Sequence, residues 1–363
     1  MSSIVQESPL PAQPRPIVSI GAGGIVNDAH LPAYRIAGFP VASIFDLRPE
    51  RATALAGGFG IPLVCTSLAE AIHRAPANAV FDVAVPAAAL LPTLRELPRG
   101  ASVLIQKPMG ETFAEAGQIL ELCRERQLNA AVNFQLRYAP NIMAARDLIE
   151  RGLLGEIHDM EVRVTVYTPW HLWTFLEGIP RVEILYHSVH YLDLIRSFLG
   201  EPRGVHARTV KHPKTARLAS TRSAMILDYG DTQMATVTTN HGHDFGLAHQ
   251  ESYVKWEGTK GAIKVRLGLL MNYPKGEPDA FDYCLYEGVR DPQWQSLPLA
   301  GSWYPHAFIG TMADLMRVAN GEIGRHPTAV EDAIRTMAVV EAAYASSATG
   351  GVPPARFSER QES

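Results

Sequence analysis

The stretch PIVSIGAGGIVNDAHLPAY, residues 16–34, decides the fold. An apolar run from Ile17 to Ile20 ends in glycines and an amphipathic segment follows, which predicts a strand, a tight turn and a helix. Residues 21–26 match the pattern G-x-G-x-x-G except at the last position. The first glycine permits the tight turn, the second lets the backbone approach a pyrophosphate, and the third mainly serves the packing of helix on strand. The stretch therefore predicts a dinucleotide-binding βα unit.

The next strand ends in an acidic residue that favours one cofactor. Asp46 closes the β-branched run VASIFD, where a carboxylate would hold the ribose hydroxyls and repel a 2′-phosphate. This favours NAD, although Arg48 could pack on the adenine or pair with a phosphate, so NADP stays possible. A glycine-rich turn that binds nothing is the alternative. The predicted cofactor contacts of this region are Gly21, Gly23, Gly24, Ile25, Val26, Asp46 and Arg48.

The hydrophobic pattern divides the chain into two domains. Short apolar runs alternate with helical stretches up to residue 136, which predicts βαβ units and a parallel sheet of the Rossmann type. From about residue 155 the strands alternate apolar and polar residues and are joined by turns such as DYGDT, which predicts a large, mostly antiparallel, open-faced sheet. We therefore predict an α/β domain at 16–136 and an α+β domain for substrate binding and oligomerisation at 137–363. The proline-rich residues 1–15 are expected to be a disordered tail.

Composition excludes several classes of protein. The net charge of −4 gives no basic field for nucleic acid or an anionic membrane, and we find no apolar run long enough to cross a bilayer. The start lacks the apolar segment of a signal peptide. Cys65, Cys123 and Cys284 are far apart in the sequence and none forms a CxxC motif, which indicates reduced thiols. We expect a cytoplasmic protein.

A second stretch, EILYHSVHYLD at 183–193, concentrates polar residues among leucines. Those polar residues are Glu183, Tyr186, His187, His190 and Asp193. On an α-helix of about 100° per residue they share one face, and the apolar residues share the other. Three interpretations stay open. They are a metal site of Glu183, His187 and His190, a self-satisfied polar network, and a catalytic site with His190 as base and Tyr186 as its helper. No matching acid is found elsewhere, so we predict no metal.

Lys107 follows a buried apolar run in the motif LIQKP. A lysine at the carboxyl end of a parallel strand faces the ligand edge of the sheet. The sequence therefore predicts that Lys107 faces the cofactor. A solvated loop lysine is the alternative.

The segment TPWHLWTFLEGIPR at 168–181 precedes the polar helix. Its aromatic residues Trp170, Trp173 and Phe175 could stack on the apolar face of a sugar ring. His171 and Arg181 could bind an acidic substituent of the substrate. The alternative is that the tryptophans belong to the core.

Taken in order, these motifs resemble the glucose–fructose oxidoreductase, inositol dehydrogenase and rhizopine-catabolism family over residues 16–350. The matching stretches are GAGGIVNDAHLPAY, FDLRPERA, VP at 85–86, QKP at 106–108, NFQLRYAP at 133–140, HYLDLIRSFLGEP at 190–202, EGTKGAI at 257–263 and the closing helix. The resemblance implies that Lys107 is essential and that His190 accepts the hydroxyl proton. It also implies further residues near the cofactor, namely Pro86, Gln106, Asn133, Arg137 and Tyr138. For Arg137 the alternative is an exposed arginine in a salt bridge.

The chain departs from the family pattern at two carboxylates. Gln106 stands where the family has glutamate, and Tyr186 stands where it has aspartate. Without these charges Lys107 should lose its proton more readily, and His187 or Glu183 is left as the partner of His190.

The resemblance implies hydride transfer between NAD and a secondary hydroxyl of a sugar, sugar acid or cyclitol. His190 would accept the proton and Lys107 would stabilise the developing alkoxide. The alternatives are a redox-assisted glycosidase and a non-catalytic cofactor-binding protein. The expected substrate contacts are Lys107, Trp170, His171, Trp173, Arg181, Tyr186, His187 and His190. A homodimer or homotetramer is expected, because an antiparallel sheet this large needs its second face covered.

Overall fold

A computed structural model describes residues 3–286, 288 and 292–354, and within these ranges the chain forms two sheets. The strands of the first sheet pair in parallel in the order β3-β2-β1-β4-β5-β6. These strands are β1 Ile17–Ile20, β2 Val41–Phe45, β3 Val64–Cys65, β4 Val80–Val83, β5 Ser102–Ile105 and β6 Asn129–Val132. The helices between and after them are α1 Leu31–Ala37, α2 Pro49–Phe59, α3 Leu68–His73, α4 Ala87–Glu96, α5 Phe113–Glu125 and α6 Pro140–Glu150. The predicted Rossmann fold is confirmed.

The first sheet is covered on both faces. Every residue of β1, β4 and β5 is buried, which is typical of parallel strands between helical layers. Gly21 turns the chain after β1 with φ +108°, and a Cβ there would lie 2.3 Å from the carbonyl oxygen of Ala84. Only glycine fits this position. The strand order reverses between β1 and β4, which opens a crevice at their carboxyl ends.

The second sheet follows residue 156 and has the strand order β14-β13-β12-β11-β7-β10-β9-β8. Its strands are β7 Ile157–Thr165, β8 Gly204–Val210, β9 Arg222–Asp228, β10 Met234–Asn240, β11 Glu251–Gly258, β12 Gly261–Arg266, β13 Ala280–Leu285 and β14 Gln295–Ser296. Neighbours are antiparallel except β7 and β10. Burial alternates along β9 and β10, so one face packs inward as predicted. Strands β13 and β14 are not predicted from the sequence.

Three later helices complete the described chain: α7 Val189–Leu199, α8 Ala307–Ala319 and α9 Val330–Thr349. Helix α8 contacts β5, β6 and α1, and α9 contacts α5 and β6 as well as β8. Thr328 ties the segment between them to the edge of the first sheet, because its backbone accepts a hydrogen bond from Val132 N at 2.9 Å and its hydroxyl donates to Val132 O at 2.6 Å. The end of the chain therefore packs on both sheets. Among the residues described, no helix combines the length and the apolar character that crossing a membrane requires.

Residues 3–15 differ from the expected disordered tail. They form no helix or strand, but Arg15 donates hydrogen bonds to Ala319 O and Asn320 Oδ1, both at 2.6 Å. Gln6 donates to the carbonyl of Pro298 at 3.1 Å. A proline-rich composition disfavours helices and strands. It does not prevent the segment from being held by hydrogen bonds to other parts of the chain, as Arg15 and Gln6 are here.

Candidate active site

Lys107 lies two residues beyond β5, at the carboxyl end of the parallel sheet. Its ammonium donates a hydrogen bond of 2.7 Å to the backbone carbonyl of Tyr186. Burial lowers the pKa of Lys107 to about 8, because a desolvated ammonium loses the stabilisation that water gives its charge. The strand of the first domain and the polar helix of the second thus meet at this amine.

Two histidines share the space with Lys107. Burial, reinforced by the charge of Lys107, lowers the pKa of His190 well below its ordinary value. Burial lowers the pKa of His187 in the same way, reinforced by His241, Lys107 and His190. The Nδ1 atoms of His187 and His190 are buried and have no hydrogen-bond partner among the described residues. Both imidazoles are therefore neutral near pH 7, and each has a ring nitrogen that the protein leaves unused.

The helix that carries these histidines is not a regular α-helix. Residues Ile184–Ser188 form a π-helical turn before α7 begins, and the Ser188 hydroxyl donates to Glu183 Oε1 at 2.6 Å, five residues back. A wheel of about 100° per residue does not apply to such a turn. The predicted common face is therefore wrong: Glu183 and His187 lie together, whereas Tyr186 and Asp193 bond elsewhere.

Glu183 is fully buried and belongs to a polar cluster that includes His241, the residue directly after β10. Burial raises its pKa, but hydrogen bonds from His241, Ser188 and Ser223 outweigh this and lower the pKa of Glu183 overall. His241 Nε2 lies 3.4 Å from Glu183 Oε1, and its Nδ1 lies 2.8 Å from the hydroxyl of Thr168. Glu183 therefore does not serve as the partner of His190.

One group of side chains could hold a metal ion. Glu183, His187 and His241 each offer a ligand atom, and these atoms lie within 4.8 Å of one another. The trio differs from the one considered from the sequence, because His241 replaces His190.

Tyr186 does not orient His190 through its hydroxyl. That hydroxyl donates to Glu111 Oε1 at 3.2 Å, and burial together with the Glu111 carboxylate raises the pKa of Tyr186. The residue meets the site through its carbonyl, which holds Lys107. The predicted role as helper of His190 is corrected accordingly.

Asp193 and Arg137 form a buried ion pair. Arg137 donates to the two carboxylate oxygens of Asp193 at 2.7 and 2.6 Å and to Asp332 at 2.8 Å. The side chain of Arg137 is 11% exposed and that of Asp193 is 1% exposed, so the guanidinium is buried and bonded to protein carboxylates. This bonding argues against the expected contact of Arg137 with the cofactor. The salt-bridged alternative describes it, in a buried rather than an exposed setting.

Arg181 is likewise committed to another residue. Its guanidinium donates to both oxygens of Glu341, at 2.5 and 2.9 Å, and stacks 4.8 Å from the ring of Tyr344. The predicted contact of Arg181 with an acidic substrate group is corrected on this ground.

The aromatic segment 168–181 is only partly core. Trp170 is half-buried with its ring 5.3 Å from that of His241, and Trp173 is half-buried with its ring 5.5 Å from that of Tyr273. His171 and Phe175 are exposed. The segment therefore forms a wall beside the polar cluster and keeps aromatic surface available to a ligand.

The turn after β1 fits a dinucleotide. Asp46 accepts hydrogen bonds from the backbone of Ala22 at 2.7 Å and of Arg48 at 2.8 Å, so its carboxylate lies against the glycine turn. A Cβ on Gly23 would meet no described atom within 4 Å, which leaves room for a phosphate to approach the backbone. Val26 is fully buried and supplies the packing expected at the third position.

Two predicted cofactor contacts bond to each other. The amide of Asn133 donates to Gln106 Oε1 at 3.1 Å, and its oxygen accepts from Thr311 at 2.9 Å. Asn133 is buried, so it acts on the site by fixing Gln106 next to Lys107. Pro86 is exposed at the carboxyl end of β4, on the edge where the crevice opens.

His241, Glu111 and Ser223 belong to the site but are not among the residues predicted from the sequence. His241 had a usable signal: it continues the alternation of β10, in which Ala235, Val237 and Thr239 face inward. Glu111 lies in a loop and gave no pattern.

Two family models match the chain. One, described as an oxidoreductase family with an NAD-binding Rossmann fold, matches residues 16–134. The other, described as the GFO/IDH/MocA C-terminal domain, matches residues 142–264. Together they cover the whole first sheet and the second sheet from β7 into β12, but not β13 and β14.

Individual proteins agree with the models. The chain is 30% identical over 185 residues to the 1,5-anhydro-D-fructose reductase of Ensifer adhaerens, which spans 50% of this chain and 56% of that protein. It is 25% identical over 358 residues to the D-apiose dehydrogenase of Rhizobium rhizogenes, which spans 91% and 94%. The match thus covers about half of the first relative and nearly all of the second. A solved oxidoreductase from Agrobacterium radiobacter, in complex with NAD+, L-tartaric acid and magnesium, superposes with a TM-score of 0.76 at 20% identity over 93% of this chain and 98% of that one.

Proposed function

Because the chain belongs to the GFO/IDH/MocA family of oxidoreductases, we propose that it transfers a hydride between NAD and a secondary hydroxyl of a sugar, sugar acid or cyclitol. The carbohydrate class is supported by relatives that are named a 1,5-anhydro-D-fructose reductase and a D-apiose dehydrogenase. The single observation that carries the proposal is the 2.7 Å hydrogen bond from Lys107, at the carboxyl edge of the Rossmann sheet, to the carbonyl of Tyr186, four residues before His190.

The chain's own residues would hold the dinucleotide along that edge. The backbone of Gly21 to Val26 would take the pyrophosphate and Asp46 the ribose hydroxyls. Asp46 would repel a 2′-phosphate, which supports NAD, and Arg48 is exposed beside it. When bound, the nicotinamide supplies the acceptor or donor of the hydride.

His190 and Lys107 would act on the same substrate oxygen. The lowered pKa of His190 keeps its imidazole free of a proton at neutral pH, so it can accept one from the hydroxyl that is oxidised. Lys107, still mostly charged below pH 8, would donate a hydrogen bond and stabilise the negative charge that develops on the oxygen. The carbonyl of Tyr186 fixes the amine in place. His187, Trp170, Trp173 and His171 would border the rest of the substrate.

The test is a panel of sugars, cyclitols and sugar acids, assayed for NADH absorbance with NAD and with NADP. Lys107→Met and His190→Ala should each abolish turnover of any substrate found. Lys211→Met and His73→Ala, at exposed positions, are the matched controls and should leave the rate unchanged. Turnover that survives in both site variants would contradict the assignment.

The same experiment separates the alternatives. Mass spectrometry that finds a hydrolysed glycoside without accumulating NADH would identify a redox-assisted glycosidase. Tight NADH binding without turnover of any panel member, and without loss of cellular function in the Lys107 variant, would identify a cofactor-binding protein instead.

We also propose that the outer face of the second sheet joins subunits into a homodimer or homotetramer. Ile226 on β9 and Met234 on β10 are 42% and 44% exposed on this sheet, and apolar side chains on an open sheet favour association. Light scattering after gel filtration should give a multimer that Ile226→Asp dissociates. Ile36→Asp, at an exposed position of α1, is the control. A monomeric native protein would refute the proposal.

A further inference from the structure

The trio Glu183, His187 and His241 has no part in the proton and hydride transfer described above. His241 Nε2 and Glu183 Oε1 are 3.4 Å apart, which is long for a charge-assisted hydrogen bond. Two ligands about 2.0–2.1 Å from one zinc ion at the tetrahedral angle are separated by about 3.4 Å. The rings of His187 and His241 have centroids 4.2 Å apart. The spacing therefore suits ligands of one ion better than a pair bonded to each other.

The surrounding groups hold the ligand side chains in place. The Thr168 hydroxyl lies 2.8 Å from His241 Nδ1, so the other ring nitrogen, Nε2, faces Glu183. Ser188 and Ser223 donate to the two oxygens of the Glu183 carboxylate. Such outer bonds fix the tautomer and orientation of metal ligands in proteins. Here they orient side chains that have no other assigned task.

His187 offers a ligand atom that the protein does not use. Its Nδ1 is buried and has no hydrogen-bond partner in the described part of the chain. One ligand atom from each of Glu183, His187 and His241 lies within 4.8 Å of the other two, so a single ion could contact all three.

We propose that Glu183, His187 and His241 bind one divalent transition-metal ion, and that this ion is zinc. Two imidazoles with one carboxylate suit zinc, whereas calcium and magnesium prefer ligand sets made of oxygen. Three protein ligands leave a fourth position open, as catalytic rather than structural zinc sites do. Trp170 packs against the ring of His241 and Tyr191 against that of His187, at centroid distances of 5.3 and 5.6 Å.

The position of the site suggests the substrate class, and this step rests on the proposed function. Lys107 donates to the carbonyl of Tyr186, the residue before His187 and four before His190, so the trio lies close to the pair that would act on the reacting oxygen. A substrate with two neighbouring oxygens, a vicinal diol or an α-hydroxy acid, would place one on the ion and the other between Lys107 and His190. Coordination would orient the substrate and draw electron density from the neighbouring oxygen.

The experiment is calorimetric titration of tag-free, chelator-treated protein with zinc chloride, followed by manganese and cobalt chloride. We expect one zinc per chain, loss of that binding in His241→Ala and in His187→Ala, and unchanged binding in His73→Ala. Thr168→Val removes only the outer hydroxyl and should weaken zinc about 10- to 100-fold. Zinc should also raise the thermal midpoint of the native protein but not of His241→Ala. Tetrahedral cobalt bands in visible light should appear in the native protein alone.

The outcomes separate this proposal from the proposed function. Zinc binding without dehydrogenase activity on any panel substrate would leave the metal site intact and remove the function. Full activity in chelated protein that binds no zinc would remove the metal site and leave the function. Zinc binding that His241→Ala and His187→Ala both retain would overturn the proposed ligands.

Discussion

The sharpest test concerns the proton on Lys107. Burial moves the pKa of Lys107 from 10.5 to about 8. At about 1.4 kcal/mol per pKa unit, this shift means that burial disfavours the charged amine by on the order of 3 kcal/mol. Lys107 is then about nine-tenths charged at pH 7 and about one-tenth charged at pH 9. An ordinary lysine would stay almost fully charged over this range. If the charged amine stabilises the alkoxide, kcat/KM for oxidation should fall about tenfold between pH 7 and pH 9.

The assay is kcat/KM against pH from about 6.5 to 9.5, with the best substrate of the panel and saturating NAD. Lys107→Arg supplies the comparison, because arginine keeps its charge over the whole range. Its profile should lack the falling limb even if its rate is lower. Reductive methylation with ¹³C and an NMR titration would follow the amine directly, with the arginine variant assigning the signal.

Three results would refute the reasoning. A flat profile in the native protein would mean that Lys107 is not desolvated, and a rate that rises through pH 8 would make it a base rather than a cationic donor. A falling limb that persists in Lys107→Arg would belong to another group.

Other expectations follow from the glycine turn, the buried ion pair and the tyrosine hydroxyl. Gly21→Ala should destabilise the fold strongly, because its Cβ would overlap a carbonyl oxygen, and urea denaturation measures this loss. Gly23→Ala should fold normally but lose affinity for NADH, which NADH fluorescence measures. Arg137→Ala should lower the free energy of unfolding by about 3–5 kcal/mol, because it leaves Asp193 buried and unpaired, while NADH affinity stays the same; a selective loss of NADH affinity would restore Arg137 to the cofactor site. Tyr186→Phe should keep kcat within about threefold, since the carbonyl that holds Lys107 remains; a loss of about a hundredfold or more would show that the hydroxyl matters to the reaction.

The fold was readable from sequence because its signals are local. The run before Gly21, the acidic end of β2 and the alternation in β7 to β12 each reflect burial on one or two faces. Strand β13 was missed because it follows a proline- and glycine-rich loop, and the pairing that defines it is with β12. Its sequence alone resembles any short apolar run.

The site was readable only in part, because partner choice is decided in three dimensions. Lys107 and His190 are predicted from their motifs, and Lys107 bonds to the carbonyl of Tyr186, four residues before His190. Arg137 and Arg181 were assigned to ligands, but each found a carboxylate distant in sequence, Asp193 and Glu341. The π-helical turn at residues 184–188 changes which side chains share a face. The hydrophobic periodicity of the sequence does not predict such a turn.

The return of α8 and α9 to the first sheet has a consequence for protein engineering. Thr328 is bonded to the strand that ends at Val132, and α8 contacts β5 and β6, so part of the cover of the nucleotide-binding sheet comes from beyond residue 136. A chimera that grafts another relative's cofactor half onto this chain must bring that relative's closing helices as well. A cut made only at the apparent domain border would leave β5 and β6 without the contacts of α8 and α9.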